Sequence, residues 1–251
     1  MNWFKNVLGR VYAVYGIILF VLTMLIMLLP IWIVSRLPDP RKTRYFLVLA
    51  RSWMAVYMPL VFCPVRRKGL EYFKKGETYI VVCNHNSLLD VPVTSPGVPG
   101  GNKTLAKIEL AKIPIFGMMY KIGSVLVDRT SDKSRKDSID EMKAVLNMGM
   151  HMVLFPEGTR NRTDYPLKSF YNGAFALAIE TGRPIIPGIV FNTRKILTPG
   201  KFFFAIPHAI QFHFLPPIET KGLNKNDLPA LKDKIFVMMW EYYDQHAAAL
   251  A

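Results

Sequence analysis

His85 and Asp90 are spaced so that a tight turn can bring a carboxylate back to an imidazole. They stand in Asn84-His85-Asn86-Ser87-Leu88-Leu89-Asp90, directly after the apolar stretch at residues 78–83. That stretch reads as a buried strand, and Ser87 reads as the start of a short helix. His85 then falls at the C-terminal edge of a strand, where open α/β sheets place their sites. A neutral imidazole can take the proton of an attacking hydroxyl. A carboxylate on its other nitrogen fixes the tautomer and stabilises the cation that forms. General-base help of this kind contributes about 10²- to 10⁴-fold in rate. The same residues admit a plainer reading, because Ser87 and Asp90 also have the spacing of a capping box. Asp90 would then serve only the helix N-terminus.

A second group follows the strand-like residues 151–155: Phe155-Pro156-Glu157-Gly158-Thr159-Arg160. Gly158 permits a turn whose backbone approaches a ligand closely. Arg160 suits bidentate binding of a phosphate, and Glu157 can orient that Arg or accept a hydrogen bond from a substrate hydroxyl. Taken alone, the segment is also an ordinary polar turn between a strand and a helix.

The elements that must hold these groups alternate from residue 65 onward. Strands are expected at 78–83, 123–127, 151–155, 184–190, 202–206 and 210–215. Helices are expected from Ser87, over 103–121 with a break at Pro114, and over 134–148, 172–181 and 228–245. Such alternation implies an α/β fold with helices on both faces of the sheet. His151, His208 and His213 lack a metal-ligand partner at useful spacing and read as structural. Phe202, Phe203 and Phe204 read as core residues ahead of an acyl-pocket lining. No metal site is expected, and Cys63 and Cys83 show no paired spacing that would imply metal or a disulfide.

Residues 11–34 contain no charged side chain, a length that suffices to enter or cross a bilayer. The run is long for a secretory signal, and no small-residue cleavage site follows it. Residues 45–65 form a weaker apolar stretch interrupted by Arg51 and Pro59, which fits an interfacial helix with a snorkelling Arg. Together they predict a helical hairpin over residues 1–65 that holds a domain of residues 66–251 at a membrane. The formal net charge is +14. In the first 65 residues Lys5, Arg10, Arg36, Arg41, Lys42, Arg44 and Arg51 face Asp39 alone. Cations flanking apolar runs suit an anionic membrane surface. Nucleic-acid binding is set aside, since it leaves the apolar run unexplained and no recognition module is present.

Taken in order, residues 79–190 resemble the glycerolipid acyltransferase superfamily, the group that includes bacterial 1-acyl-glycerol-3-phosphate acyltransferases. NHNSLLD resembles its H-x-x-x-x-D block, and FPEGTR matches its phosphate-binding block. Gly123-Ser124-Val125-Leu126-Val127-Asp128-Arg129 resembles the middle block, which implies a phosphate role for Arg129. Leu167-Lys168-Ser169-Phe170 with Gly173-Ala174, and then Ile185-Ile186-Pro187-Gly188-Ile189, resemble the blocks that close the signature. Asn172 departs from the Pro or Arg typical before that glycine.

The resemblance implies a mixed, largely parallel sheet flanked by helices on both faces, with an N-terminal two-helix membrane anchor. It implies an O-acyltransferase of phospholipid biosynthesis that needs no cofactor. His85 and Asp90 are the expected catalytic pair. Ser87, Arg129, Glu157, Gly158, Thr159, Arg160 and Lys168 are the expected substrate-binding residues. Backbone N–H groups at the start of the Ser87 helix, or a nearby side chain, are expected to stabilise the oxyanion. The implied partners are acyl-CoA or acyl carrier protein as donor, a lysolipid acceptor such as lysophosphatidic acid, and membrane lipids. The implied location is the cytoplasmic face of a bacterial inner membrane. The alternatives are an O-acyltransferase for another lysolipid, including an N-acyl amino-acid lipid, and a non-catalytic basic membrane-binding protein.

Overall fold

A computed structural model describes residues 3–249. Its strands are β1 (Val65–Lys68), β2 (Ile80–Cys83), β3 (Asn102–Lys107), β4 (Ser124–Val127), β5 (His151–Leu154), β6 (Ile185–Phe191) and β7 (Ile210–Phe214). They form one sheet in the order β1-β7-β6-β2-β5-β3-β4. From β6 across to β4 every neighbouring pair is parallel, whereas β7 runs antiparallel to β6. The sheet is therefore mixed and largely parallel, as expected. All of β2 is buried, which is why its sequence, Ile-Val-Val-Cys, is apolar without alternation.

The helices are α1 (Trp3–Ser35), α2 (Arg41–Leu60), α3 (Asp90–Gly97), α4 (Phe116–Gly123), α5 (Asp132–Asn147), α6 (Gly173–Thr181), α7 (Thr193–Ile196) and α8 (Leu228–Ala247). On one face of the sheet Ile80 and Val82 pack with Met142 of α5, Phe175 of α6 and Ile235 of α8. On the other face Val81 and Cys83 pack with Trp53 and Met58 of α2 and Val93 of α3. Both faces of the sheet are thus covered.

α1 and α2 form an antiparallel hairpin. The Tyr57 hydroxyl donates to the Gly16 carbonyl at 3.2 Å, and the Trp53 indole N–H donates to Thr23 Oγ1 at 2.9 Å. Pro30 lies within α1 without ending it. Only 11% of the most apolar 18-residue window of α1 is buried. Among the described residues little covers the rest, and by length and composition this helix is long and apolar enough to cross a membrane. Gly9 lets α1 approach Phe204, because a Cβ there would meet the Phe204 ring at 2.3 Å.

Four expectations are corrected. Arg51 does not snorkel: its guanidinium donates to the carbonyls of Pro96 and Val98 at 3.1 and 2.8 Å, and also to that of Gly100. It thereby satisfies carbonyls that the end of α3 leaves open. Residues 103–121 are not a broken helix, because their first part is β3. The polar residues of β3 are buried with partners of their own. Asn102 Nδ2 donates to the Ser95 carbonyl at 2.9 Å, Lys103 Nζ to Asp39 Oδ2 at 3.0 Å, and the Thr104 and Ser124 hydroxyls pair at 2.8 Å. Residues 202–206 form no strand. Finally, Phe204 is buried, but Phe202 and Phe203 are 80% and 51% exposed and belong neither to the core nor to an enclosed pocket.

Candidate active site

β2, β5 and β6 run side by side in one direction, so the loops that follow them leave from one edge of the sheet. Asn84 pins the first loop at its exit. Its Nδ2 donates to the Val190 carbonyl at 3.0 Å and its Oδ1 accepts the Val190 N–H at 2.7 Å. The chain then turns through residues 85–89 and enters α3 at Asp90, three residues later than expected.

Asp90 is fully buried and organises that turn. Its Oδ2 lies 2.8 Å from His85 Nδ1 and accepts the backbone N–H groups of Asn86 and Ser87 at 2.6 and 2.7 Å. Its Oδ1 accepts the Thr193 hydroxyl at 2.6 Å. Four hydrogen bonds replace the water lost on burial. With a carboxylate against Nδ1, the neutral imidazole carries its proton there and leaves the Nε2 lone pair open.

The two readings of Asp90 thus meet on one oxygen. Asp90 reaches back to the Ser87 amide as half of a capping box would. Ser87 does not reciprocate, since its Oγ accepts from the Leu89 N–H at 3.3 Å and the helix has no side-chain cap bond. Ser87 is 3% exposed and belongs to the frame of the turn. The Asn86 and Ser87 amides are likewise spent on Asp90 and are not open to an oxyanion.

Glu157 lies beneath the same turn. It is fully buried, and neither Arg160 nor solvent reaches it. Its Oε1 accepts the His85 N–H at 2.8 Å and its Oε2 accepts the Lys168 N–H at 3.0 Å. Burial pushes its carboxyl up to about 7, against the two backbone amides that favour the charged form. The next turn adds a further tie, because the Asn161 N–H donates to the His85 carbonyl at 2.6 Å. The Phe155 ring lies 4.5 Å from the imidazole, centroid to centroid. Glu157 and Asn161 therefore lock the loop after β5 to the backbone of His85.

The cationic residues gather around that same loop. Gly158 has φ +70°, and a Cβ there would meet the Tyr171 ring at 2.7 Å, so only glycine fits. Arg129, exposed at the end of β4, donates from Nη1 to the Gly158 carbonyl. Lys168 Nζ donates to the Thr159 hydroxyl at 3.0 Å. Arg160 is partly exposed on the same turn. The structure thus brings Arg129, Gly158, Thr159, Arg160 and Lys168 together, beside the loop that carries His85.

His151 and His213 stay outside the site. His151 is at the opposite end of β5, where its Nδ1 accepts the Tyr79 N–H at 3.0 Å. Burial lowers it to about 4. His213 Nδ1 lies 3.1 Å from the Tyr242 hydroxyl. His208 is partly exposed in the segment leading to β7. Sequence reasoning missed Asn84, Asn161 and Thr193. Asn84 had one signal, a polar amide at the end of an apolar strand, whereas nothing local marked Thr193.

The model of the Acyltransferase family matches residues 64–190, and the chain belongs to that family. Among curated proteins it is similar to the 1-acyl-sn-glycerol-3-phosphate acyltransferase alpha of Mus musculus, at 33% identity over 68% of this chain and 60% of the relative. It is also similar to the 1-acyl-sn-glycerol-3-phosphate acyltransferase of Saccharomyces cerevisiae, at 30% identity over 75% of this chain and 62% of the relative. The chain thus spans about 60% of the length of these relatives. Among solved structures, the 1-acyl-sn-glycerophosphate (LPA) acyltransferase PlsC from Thermotoga maritima superposes with a TM-score of 0.77 at 23% identity. That match covers 98% of this chain and 97% of the other, and it extends the shared fold to the N-terminal hairpin.

Proposed function

We propose that this chain transfers a fatty acyl group from a thioester donor to the free hydroxyl of 1-acyl-glycerol-3-phosphate, giving phosphatidic acid. The observation that carries the reading is the 2.8 Å contact of His85 Nδ1 with the buried Asp90 carboxylate, set beside a loop bearing phosphate-binding cations. His85 Nε2 removes the proton of the acceptor hydroxyl, whose oxygen attacks the thioester carbonyl carbon. The carbon–sulfur bond breaks, and the leaving thiolate takes the proton back from the imidazolium. Asp90 steadies that cation, and Thr193 and the turn amides hold Asp90. Arg129, Arg160 and Lys168 receive the acceptor phosphate, with Gly158 and Thr159 shaping the loop. Glu157 acts through the backbone of His85 and Lys168 as a positioning residue.

The donor is acyl-CoA or acyl carrier protein. Residues 1–65 form a membrane hairpin, with the bare side of α1 in lipid, and residues 66–251 form the acyltransferase domain. The cations that flank the apolar run favour the anionic cytoplasmic face of a cell inner membrane. The test incubates the full chain with acyl-CoA or acyl carrier protein and a panel of lysolipids, and identifies products by mass. Phosphatidic acid as the dominant product supports the reading. Acylation of a lysolipid without a phosphomonoester, in preference to lysophosphatidic acid, refutes the acceptor assignment.

A further inference from the structure

Phe202 and Phe203 project from a loop that is pinned both at its base and against α1. The Ile206 N–H donates to the Ile196 carbonyl at 3.1 Å, which closes the loop between β6 and β7. The Ala205 N–H donates to the Gly9 carbonyl at 3.1 Å, which joins the loop to α1. Phe204 fills the space that Gly9 leaves open and is buried, with Lys201 Nζ 4.6 Å from its ring centre. Gly9 lies on the packed face of α1, whereas Arg10, next round the helix, is exposed. Arg10 Nη1 is 3.5 Å from the Phe202 carbonyl, so the loop rises past the flank of α1. There Phe202 and Phe203 meet edge to face, 4.5 Å between ring centres, and stay 80% and 51% exposed. Phe203 has φ +48°, a conformation an aromatic residue seldom adopts, so the exposed pair is kept at a cost in backbone strain.

Continuity with α1 says what covers this pair. α1 presents Phe4, Leu8, Val11, Tyr15, Ile18 and Leu22 at helical spacing, all exposed, and the loop abuts the N-terminal part of that stripe. Charge points the same way. Lys5 and Arg10 on α1, Lys195 at the base of the loop and Lys201 within it are exposed. No acidic residue occurs before Asp39 or between Glu180 and Glu219. Aromatic rings set among Lys and Arg suit a membrane–water interface, where the rings enter the acyl boundary and the cations meet anionic headgroups. We infer that the loop of residues 197–205 is a second membrane contact, made by the catalytic domain itself, in which Phe202 and Phe203 enter the interface of an anionic bilayer beside α1. A single helix is a line about which the domain can roll, and a contact off that line stops the roll. Asn86 and Ile206 line one cleft, so the loop stands near the His85 turn, and seating it sets the height of His85 at the lipid surface. The inference rests on the reading of α1 as a lipid-facing helix and adds an attachment outside the hairpin.

The test attaches a fluorophore to the full chain at Phe202→Cys, at Leu22→Cys on α1 or at Val237→Cys on α8, one site at a time. Each replaced side chain is exposed, and Cys63 and Cys83 are buried and do not compete for the label. The protein is placed in vesicles of phosphatidylglycerol and phosphatidylcholine, with a nitroxide on the lipid chain or iodide in the water as quencher. Lipid quenching at Phe202→Cys and Leu22→Cys is expected to exceed that at Val237→Cys severalfold, with iodide quenching in the reverse order. In vesicles of phosphatidylcholine alone, lipid quenching should fall at Phe202→Cys and hold at Leu22→Cys. Equal quenching in the two lipids overturns the part given to the cations. A Phe202→Cys label open to iodide, with Leu22→Cys still quenched from lipid, overturns the loop contact and keeps the hairpin. Protection of Phe202→Cys from both quenchers means a protein partner, a second copy of this chain included, and overturns it too. Loss of lipid quenching at Leu22→Cys as well overturns the hairpin reading and the inference together. Phe203→Cys carries the same test should a label at Phe202→Cys disturb the fold.

Discussion

Glu157 holds His85 by its backbone: the Glu157 Oε1 accepts the His85 N–H at 2.8 Å while Oε2 accepts the Lys168 N–H at 3.0 Å. One buried carboxylate thus fixes the spacing between the proposed base and a proposed phosphate-binding lysine. Glu157→Ala leaves two donors unpaired, at about 1–3 kcal/mol for each that stays dry. Denaturant unfolding should show that loss, and kcat should fall at least tenfold, as expected of a displaced catalytic loop (~10², by analogy with a 1 Å misplacement). Glu157→Gln keeps one acceptor and should fall between the two. A Glu157→Ala variant with unaltered stability and rate would remove the positioning role.

Thr193 donates to Asp90 Oδ1 at 2.6 Å from a site 103 residues away. Thr193→Val keeps the shape and removes the donor. The expected cost is about 1–3 kcal/mol of stability from the unsatisfied carboxylate oxygen, with a fall in kcat and little change in either KM. Thr193→Ser should restore both. Restoration by serine separates the hydroxyl's role from simple packing.

The cationic turn makes a kinetic prediction. Arg160→Ala and Arg129→Ala should raise KM for the lysolipid by about tenfold or more, as loss of a charge-assisted contact implies, and leave KM for the donor in place. Initial-rate measurements with each substrate varied in turn decide the matter. A rise in the donor KM instead would overturn the assignment of this turn to the acceptor phosphate.

His151 sets an acid limit on stability. Burial holds it at about 4 in the fold, against its ordinary value of 6.5. Between those values the unfolded chain binds a proton that the folded chain does not, so stability rises with pH and is lost as pH falls from 6.5 toward 4. Protonation would also break its acceptance of the Tyr79 N–H. Glu157 acts with the opposite sign, because its raised carboxyl weakens the fold as pH climbs through about 7. His151→Gln should therefore lose less stability than the unaltered protein between pH 6.5 and 4, read from urea midpoints at each pH.

The central strands and the His85 turn were legible because their signals are local. An apolar run of four to eight residues ended by polar residues makes a strand, and the five-residue spacing from His85 to Asp90 makes a turn. β3 was not legible. Asn102, Lys103 and Thr104 look like the polar face of a helix until Ser95, Asp39 and Ser124 are folded against them. The backbone partners of Glu157 were hidden for a related reason: they are the His85 and Lys168 amides, which no residue type reveals. Asn84 and Thr193 act across 106 and 103 residues, where sequence pattern carries no information about contact. The exposed Phe202 and Phe203 show the reverse error, since aromatic residues are usually buried and these are not.

The measurement that bears most directly on the proposed chemistry is acyl transfer by His85→Ala. It compares product formed from 1-acyl-glycerol-3-phosphate and a thioester donor with that of the unaltered protein, and checks that the two unfold at the same denaturant concentration. The expected result is phosphatidic acid from the unaltered protein and a loss of at least about 10²-fold in the folded variant. Full activity in His85→Ala would contradict the assignment of His85 as the base.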